Sequence, residues 1–234
     1  NMLDEKQIYT CFKKILVDIW DIGVIHEHFQ LSKKLQIGCL FVKKYPLLLQ
    51  QLTVMRHNLP ELFEKSLTGA WFSLAICDQL EFDTVQSNHV FLASLARDIG
   101  MMYITPEILS KTSGVSKVEW KTIQGHVVIG KIIMDNEESL PTNVKLAMFE
   151  HHERCDGAGY PKAKESKQLT QSGQIVAMSD AIQAILLNRF KHSGQNIANL
   201  EGFLTLNMTT YGEDIYRAVV RLICSGNCNP VNLV

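Results

Sequence analysis

Residues 141–161 read PTNVKLAMFEHHERCDGAGYP, and the reading of the whole chain turns on them. Pro141 is suited to opening a helix. Within it Val144, Ala147 and Met148 step by three and one, marking a buried face. His151 follows Met148 by three residues and His152 by four, so both imidazoles continue that face inward. A buried imidazole without a partner costs on the order of a few kcal/mol. Two adjacent histidines turned toward an apolar interior therefore need something to bind.

The rest of the chain is also helical in pattern. Ile8, Cys11, Phe12, Ile15, Leu16 and Ile19 form the stripe of an amphipathic helix, and similar periodicity returns over 34–56, 62–80 and 85–97. No pair of alternating strands joined by an Asn-Gly or Asp-Gly turn occurs. The expected class is all-α. Thr105-Pro106 and the Ser116/Glu119 capping box predict helix starts, and 161–173 and 191–199 read as loops. A break at residues 57–60, His-Asn-Leu-Pro, divides an N-terminal helical region (1–60) from a main domain (61–234).

Composition narrows the function. In 234 residues, 23 basic side chains stand against 24 acidic ones, for a net charge of −1. That balance provides no cationic footprint for long nucleic acid. No stretch approaches the roughly 20 apolar residues of a membrane helix, and no signal-peptide pattern opens the chain. Six scattered cysteines (11, 39, 77, 155, 224 and 228) read as reduced thiols of a cytoplasmic protein. Cys224 and Cys228, without nearby histidines, carry no metal reading.

Asp98, His126, His151, His152 and Asp180 are the imidazoles and carboxylates suited to divalent metals. His26, His28, His57, His89 and His192 lack carboxylates at a recognisable spacing and read as ordinary histidines. The string HHERCDGAGYP (151–161) resembles the HHExxDGxGYP signature of the HD-GYP family, with every specified position matched. Arg97-Asp98-Ile99-Gly100 stands where that family has HDIG, and residues 104–111 resemble the stretch that follows it. His126 lies 28 residues after Asp98, and Asp180 lies 28 after His152, both at family metal positions. The resemblance spans roughly residues 61–192.

The resemblance implies an HD-superfamily helical bundle with an N-terminal helical extension. It further implies a centre of two or three divalent metals (iron, manganese or similar) and hydrolysis of cyclic di-GMP. Two close cations activate water, clamp phosphoryl oxygens and stabilise the leaving alkoxide. Asp98, at the heart of the metal set, is the catalytic residue implied. Tyr160 offers a ring and a hydroxyl to the substrate. Arg189, nine residues after Asp180, matches a phosphate-binding arginine. A GGDEF-type protein partner and a homodimer are compatible with the resemblance.

Three family positions depart from the pattern. The HD histidine is Arg97, an upstream helix histidine aligns with Lys65, and the lysine after HDIG is Met101. In the family arrangement the two missing histidines serve one metal with Asp98 and Asp180. Asp98, His126, His151 and His152 surround its neighbour. Lys65 and Arg97 would then bring two positive charges to the vacated position. A unit charge about 4 Å from a dication is repelled by roughly 8 kcal/mol at an effective dielectric of 20, so a metal and an inward Arg97 exclude each other. Arg97 can equally point to solvent, since adjacent helical residues diverge by about 100°. The metal count is thus left at two, one or none. Three functions stay open: a signalling module with lost or weakened catalysis that binds a cyclic dinucleotide or a partner protein, a phosphodiesterase working through a reduced site, and a ligand-free interaction domain.

Overall fold

A computed structural model describes residues 2–20, 29–186, 200 and 202–224. Arg189, His26, His28, His192, Cys228 and the 191–199 segment lie outside the described residues. Among the described residues there is no strand, only an isolated bridge between Asp156 and Glu165. The principal helices are α1 (Glu5–Trp20), α2 (Phe29–Val42), α3 (Pro46–Asn58), α4 (Pro60–Gln79) and α5 (Thr84–Ala96). They continue with α6 (Pro106–Leu109), α7 (Lys117–Gln124), α8 (His126–Asp135), α9 (Thr142–Glu150), α10 (Gln171–Leu186) and α11 (Glu213–Cys224).

Helix α4 is the axis of the bundle. Every residue from Ser66 to Cys77 is buried, the pattern of a helix enclosed on all sides. It packs against α5, α10, α3 and α11, while α9 closes over α5, α8 and α10. Where α4, α5 and α10 meet, the buried hydroxyls of Ser73, Ser94 and Ser179 satisfy one another, so polar groups enter the core without a desolvation loss. The first 60 residues share this core: Ile8, Phe12, Leu35 and Val42 are fully or almost fully buried in one cluster with Leu67 and Phe91. Phe12 stacks on Phe91 with ring centroids 5.7 Å apart.

The periodic stretch 34–56 is two helices, because Pro46 cannot continue α2 and instead opens α3. The freed Leu47 N–H donates to Glu137 Oε2 at 2.9 Å. The break at 57–60 is a one-residue link, with Pro60 starting α4. The Ser116/Glu119 capping box forms. Thr105 takes the extended cap backbone before Pro106 but makes no side-chain cap bond, α6 being a single turn. The 161–173 loop is shorter than expected. A 3-10 turn covers Ser166–Gln168, and α10 starts at Gln171, where Thr170 Oγ1 accepts from Gly173 N–H at 3.0 Å.

Two glycines set the approach on which the site depends. A Cβ on Gly100 would lie 2.0 Å from the His126 carbonyl oxygen and 2.7 Å from Gly130 N. Only a bare backbone lets the 3-10 segment Ile99–Tyr103 lie directly on α8. That contact brings Asp98, at the segment's start, beside His126, at the start of α8.

Candidate metal centre

Asp98, His126, His151 and His152 converge so that one potential ligand atom from each lies within 4.8 Å of the others. Asp98 caps the 3-10 segment, His126 begins α8, and His151 and His152 follow the last turn of α9. Three separate elements thus aim at one point. His126 Nδ1 lies 2.7 Å from the Ile123 carbonyl, and His151 Nδ1 lies 2.6 Å from that of Met148. A carbonyl only accepts, so each Nδ1 carries a proton, and in the neutral ring that leaves Nε2 as the lone-pair nitrogen.

Those Nε2 atoms lie 3.3 Å apart, and Asp98 Oδ1 sits 3.5 Å from one and 3.7 Å from the other. Bare lone pairs facing each other beside a carboxylate oxygen repel unless a cation lies among them. Burial, followed by the neighbouring His151, pushes the His126 pKa down, and burial does the same more strongly to His152. Both imidazoles are thereby kept in the neutral, metal-binding form. Burial alone would raise the Asp98 pKa, but the Arg97 guanidinium beside it holds it well below the carboxylate range. Three imidazoles and a carboxylate, with two rings oriented by carbonyls behind them, fit a divalent transition metal.

Beside this cluster the Arg97 guanidinium lies between Asp98 and Asp180. Of its two sequence readings the inward one holds, since its side chain is 0% exposed. Nε lies 3.1 Å from Asp98 Oδ2 and donates to Asp180 Oδ1 at 3.1 Å, and Nη2 lies 3.0 Å from the same Asp180 oxygen. Asp180 therefore stands outside the four-donor group, bound to the guanidinium. The expectation that Lys65 shares this role is corrected: its side chain is exposed, and no ion pair joins it to either carboxylate among the described residues. Only the Lys65 carbonyl takes part, accepting from Arg97 Nη2 at 3.3 Å, because its position on α4 turns the backbone inward and the side chain outward.

The cluster opens into a cavity of about 570 Å³ whose walls include Glu61, Lys65, Met101, Trp120, Tyr160 and Asp180. The Tyr160 ring stacks on His152 with centroids 4.7 Å apart and planes 22° apart. Its loop is tied down by buried carboxylates. Glu153 accepts from Lys162 N–H at 2.6 Å and Lys164 N–H at 3.0 Å, and Glu150 accepts from the Lys164 Nζ and from the N–H and hydroxyl of Thr170. His57 and His89 stand apart from the cluster; His89 pairs with Asn143 at 2.8 Å. Sequence reasoning missed Gly69 and Gln183, which cradle Arg97, and Trp120. The one available signal was a glycine inside an otherwise uninterrupted buried helix.

The HD domain family profile matches residues 48–200. A cyclic di-GMP phosphodiesterase of Thermotoga maritima is 31% identical over 121 residues, 51% of this chain and 33% of its own length. One of Pseudomonas aeruginosa is 24% identical over 182 residues, 78% of this chain and 44% of its own. This chain thus spans less than half of each of these relatives. Among solved structures, an HDG"Y"P protein of Bdellovibrio bacteriovorus superposes with a TM-score of 0.60 at 14% identity, covering 92% of this chain and 70% of that one. The L. monocytogenes phosphodiesterase PgpH HD domain in complex with cyclic-di-AMP gives 0.54 at 15% identity, covering 76% and 95%. The profile covers well over half of the sequence, and the helical architecture agrees with it: the chain belongs to the HD domain family.

Proposed function

We propose that this domain is a metal-dependent cyclic dinucleotide-binding module of the cyclic di-GMP phosphodiesterase type in which hydrolysis is lost or weakened. The observation that carries the reading is the pairing of a complete four-donor set with a guanidinium in the adjoining position. Asp98, His126, His151 and His152 would hold a divalent ion, which supplies Lewis-acid polarisation of a phosphoryl oxygen. Tyr160, immobilised over His152, presents a ring edge and hydroxyl to a base or phosphate at the cavity wall. Trp120, half exposed in the same cavity, offers a second aromatic surface. Arg189 is assigned a phosphate contact by its place in the family pattern. The names of the curated relatives support cyclic di-GMP as the ligand.

A second reading is favoured by the same complete donor set: a working phosphodiesterase that relies on this cluster alone, with Asp98 as its central ligand. Calorimetric titration of cyclic di-GMP with and without Mn²⁺, alongside chromatography for linear product, separates the two. Metal-dependent binding without turnover supports the proposal, and turnover supports the second reading. Absence of binding in either condition would refute both, leaving a protein-interaction domain.

A further inference from the structure

Two carboxylates at the cavity wall already possess a cation. Asp98 Oδ2 and Asp180 Oδ1 both lie within ion-pair distance of the Arg97 guanidinium, at 3.1 and 3.0 Å. The two terminal nitrogens of that group are also engaged: Nη1 donates to the Ser94 carbonyl at 2.8 Å, and Nη2 to Gln183 Oε1 at 3.2 Å and the Lys65 carbonyl. Each of its three nitrogens thus has a protein acceptor, and with the side chain 0% exposed the fork turns no open face to a phosphate. The space it fills is carved into α4, where a Cβ on Gly69 would lie 2.5 Å from Nη1 and 3.0 Å from Cζ. Glycine within a helix sacrifices stability relative to alanine, and here the missing methyl is what admits the guanidinium.

Asp98 is accordingly divided. Its Oδ1 faces the imidazole lone pairs, and its Oδ2 faces Arg97. We infer that Arg97 is a fixed second cation, so that the chain holds a single exchangeable divalent ion at Asp98 Oδ1 and the three imidazoles. This rests on the metal reading of the four-donor cluster given above. A second dication would need the space between Asp98 and Asp180 and would meet an unscreened positive charge there. The guanidinium balances the carboxylates as an ion would, but it has no coordination position for water. It also cannot leave without stranding two acidic groups.

The test is the number of Mn²⁺ ions retained per chain after desalting, measured by elemental analysis and by electron paramagnetic resonance, for the wild type and Arg97→His. The wild type is expected to bind one ion with an uncoupled spectrum. Arg97→His, which removes the charge and supplies a ligand, is expected to bind two with dipolar coupling. Two ions in the wild type would overturn the inference while leaving the metal reading intact, and this measurement decides even if the variant fails to fold. A folded Arg97→His chain that still takes one ion would also overturn it. No ion in either protein would overturn the metal reading itself, and the inference with it.

Discussion

Replacing Arg97 by alanine tests the charge arrangement through stability alone. The side chain is the largest of those fully buried among the described residues, and its removal leaves Asp98 and Asp180 facing each other without a cation. Breaking a buried ion pair by deleting one partner costs about 3–5 kcal/mol. The two carboxylates are 12% and 23% exposed, so water partly rehydrates them and the lower value, about 3 kcal/mol, applies. The two methylenes lost beyond Cβ add about 1.6 kcal/mol at ~0.8 each. Urea denaturation followed by far-ultraviolet circular dichroism, in chelator, is therefore expected to show a loss of about 4–5 kcal/mol. Mn²⁺ supplies the contrast. Both proteins gain from the first ion, but only the variant has room for a second, worth about 2.7 kcal/mol at 100 times its dissociation constant. The gap between the proteins should narrow by about that amount. A gap below ~1 kcal/mol in chelator, the range of exposed pairs, would refute the buried pair, and a gap insensitive to Mn²⁺ would refute the vacated cation position.

Other parts of the site make equally specific demands. Glu153→Ala leaves the Lys162 and Lys164 N–H groups without their charged acceptor, a loss of about 1.5–3 kcal/mol. Trypsin should then cut after Lys162 and Lys164 at least tenfold faster, and unchanged cleavage would show that Glu153 does not hold the loop. Gly100→Ala places a methyl against the backbone of His126, which cannot swing aside, so destabilisation at or above ~1–3 kcal/mol is expected together with weakened Mn²⁺ affinity. Wild-type stability with normal metal binding would contradict the close approach. Burial pushes the Cys39 thiol up to about 12 and that of Cys77 higher still. Site-resolved labelling near pH 8 should leave both unmodified until unfolding, while the half-buried Cys11 reacts in the native protein.

The donor cluster was legible because its signals are local. The spacing of His151 and His152 from Val144 and Met148 fixes their direction on a helix, and the DGAGYP run follows directly. The direction of Arg97 was not legible, for a geometric reason. Two adjacent residues point about 100° apart only while the helix continues, and here α5 ends at Ala96. Arg97 keeps helical angles, whereas Asp98 turns to φ −99° and ψ 8°, which allows both side chains to face the cavity. Gly69 and Gln183 escaped notice because their meaning lies in a partner 28 and 86 residues away, supplied only by packing. Lys65 misled in the opposite sense: its alignment brought the right helix to Arg97, yet the contact is made by its carbonyl.

The balance of charge explains why ligand binding and hydrolysis can part company in such a centre. Asp98, Asp180 and Arg97 together carry −1 with the imidazoles neutral, so one dication brings the centre to +1. Had two dications occupied it without the arginine, the same carboxylates would have left +2. An anionic phosphodiester is attracted in both cases, since the net charge is positive either way. The chemical step asks for more than net charge. In a two-metal reaction a second site holds water against phosphorus and then stabilises the leaving oxygen, and a guanidinium whose three nitrogens are all engaged by protein acceptors offers neither. On the proposed function, an arginine at this position preserves the electrostatics of recognition while taking the place of a reactive coordination position.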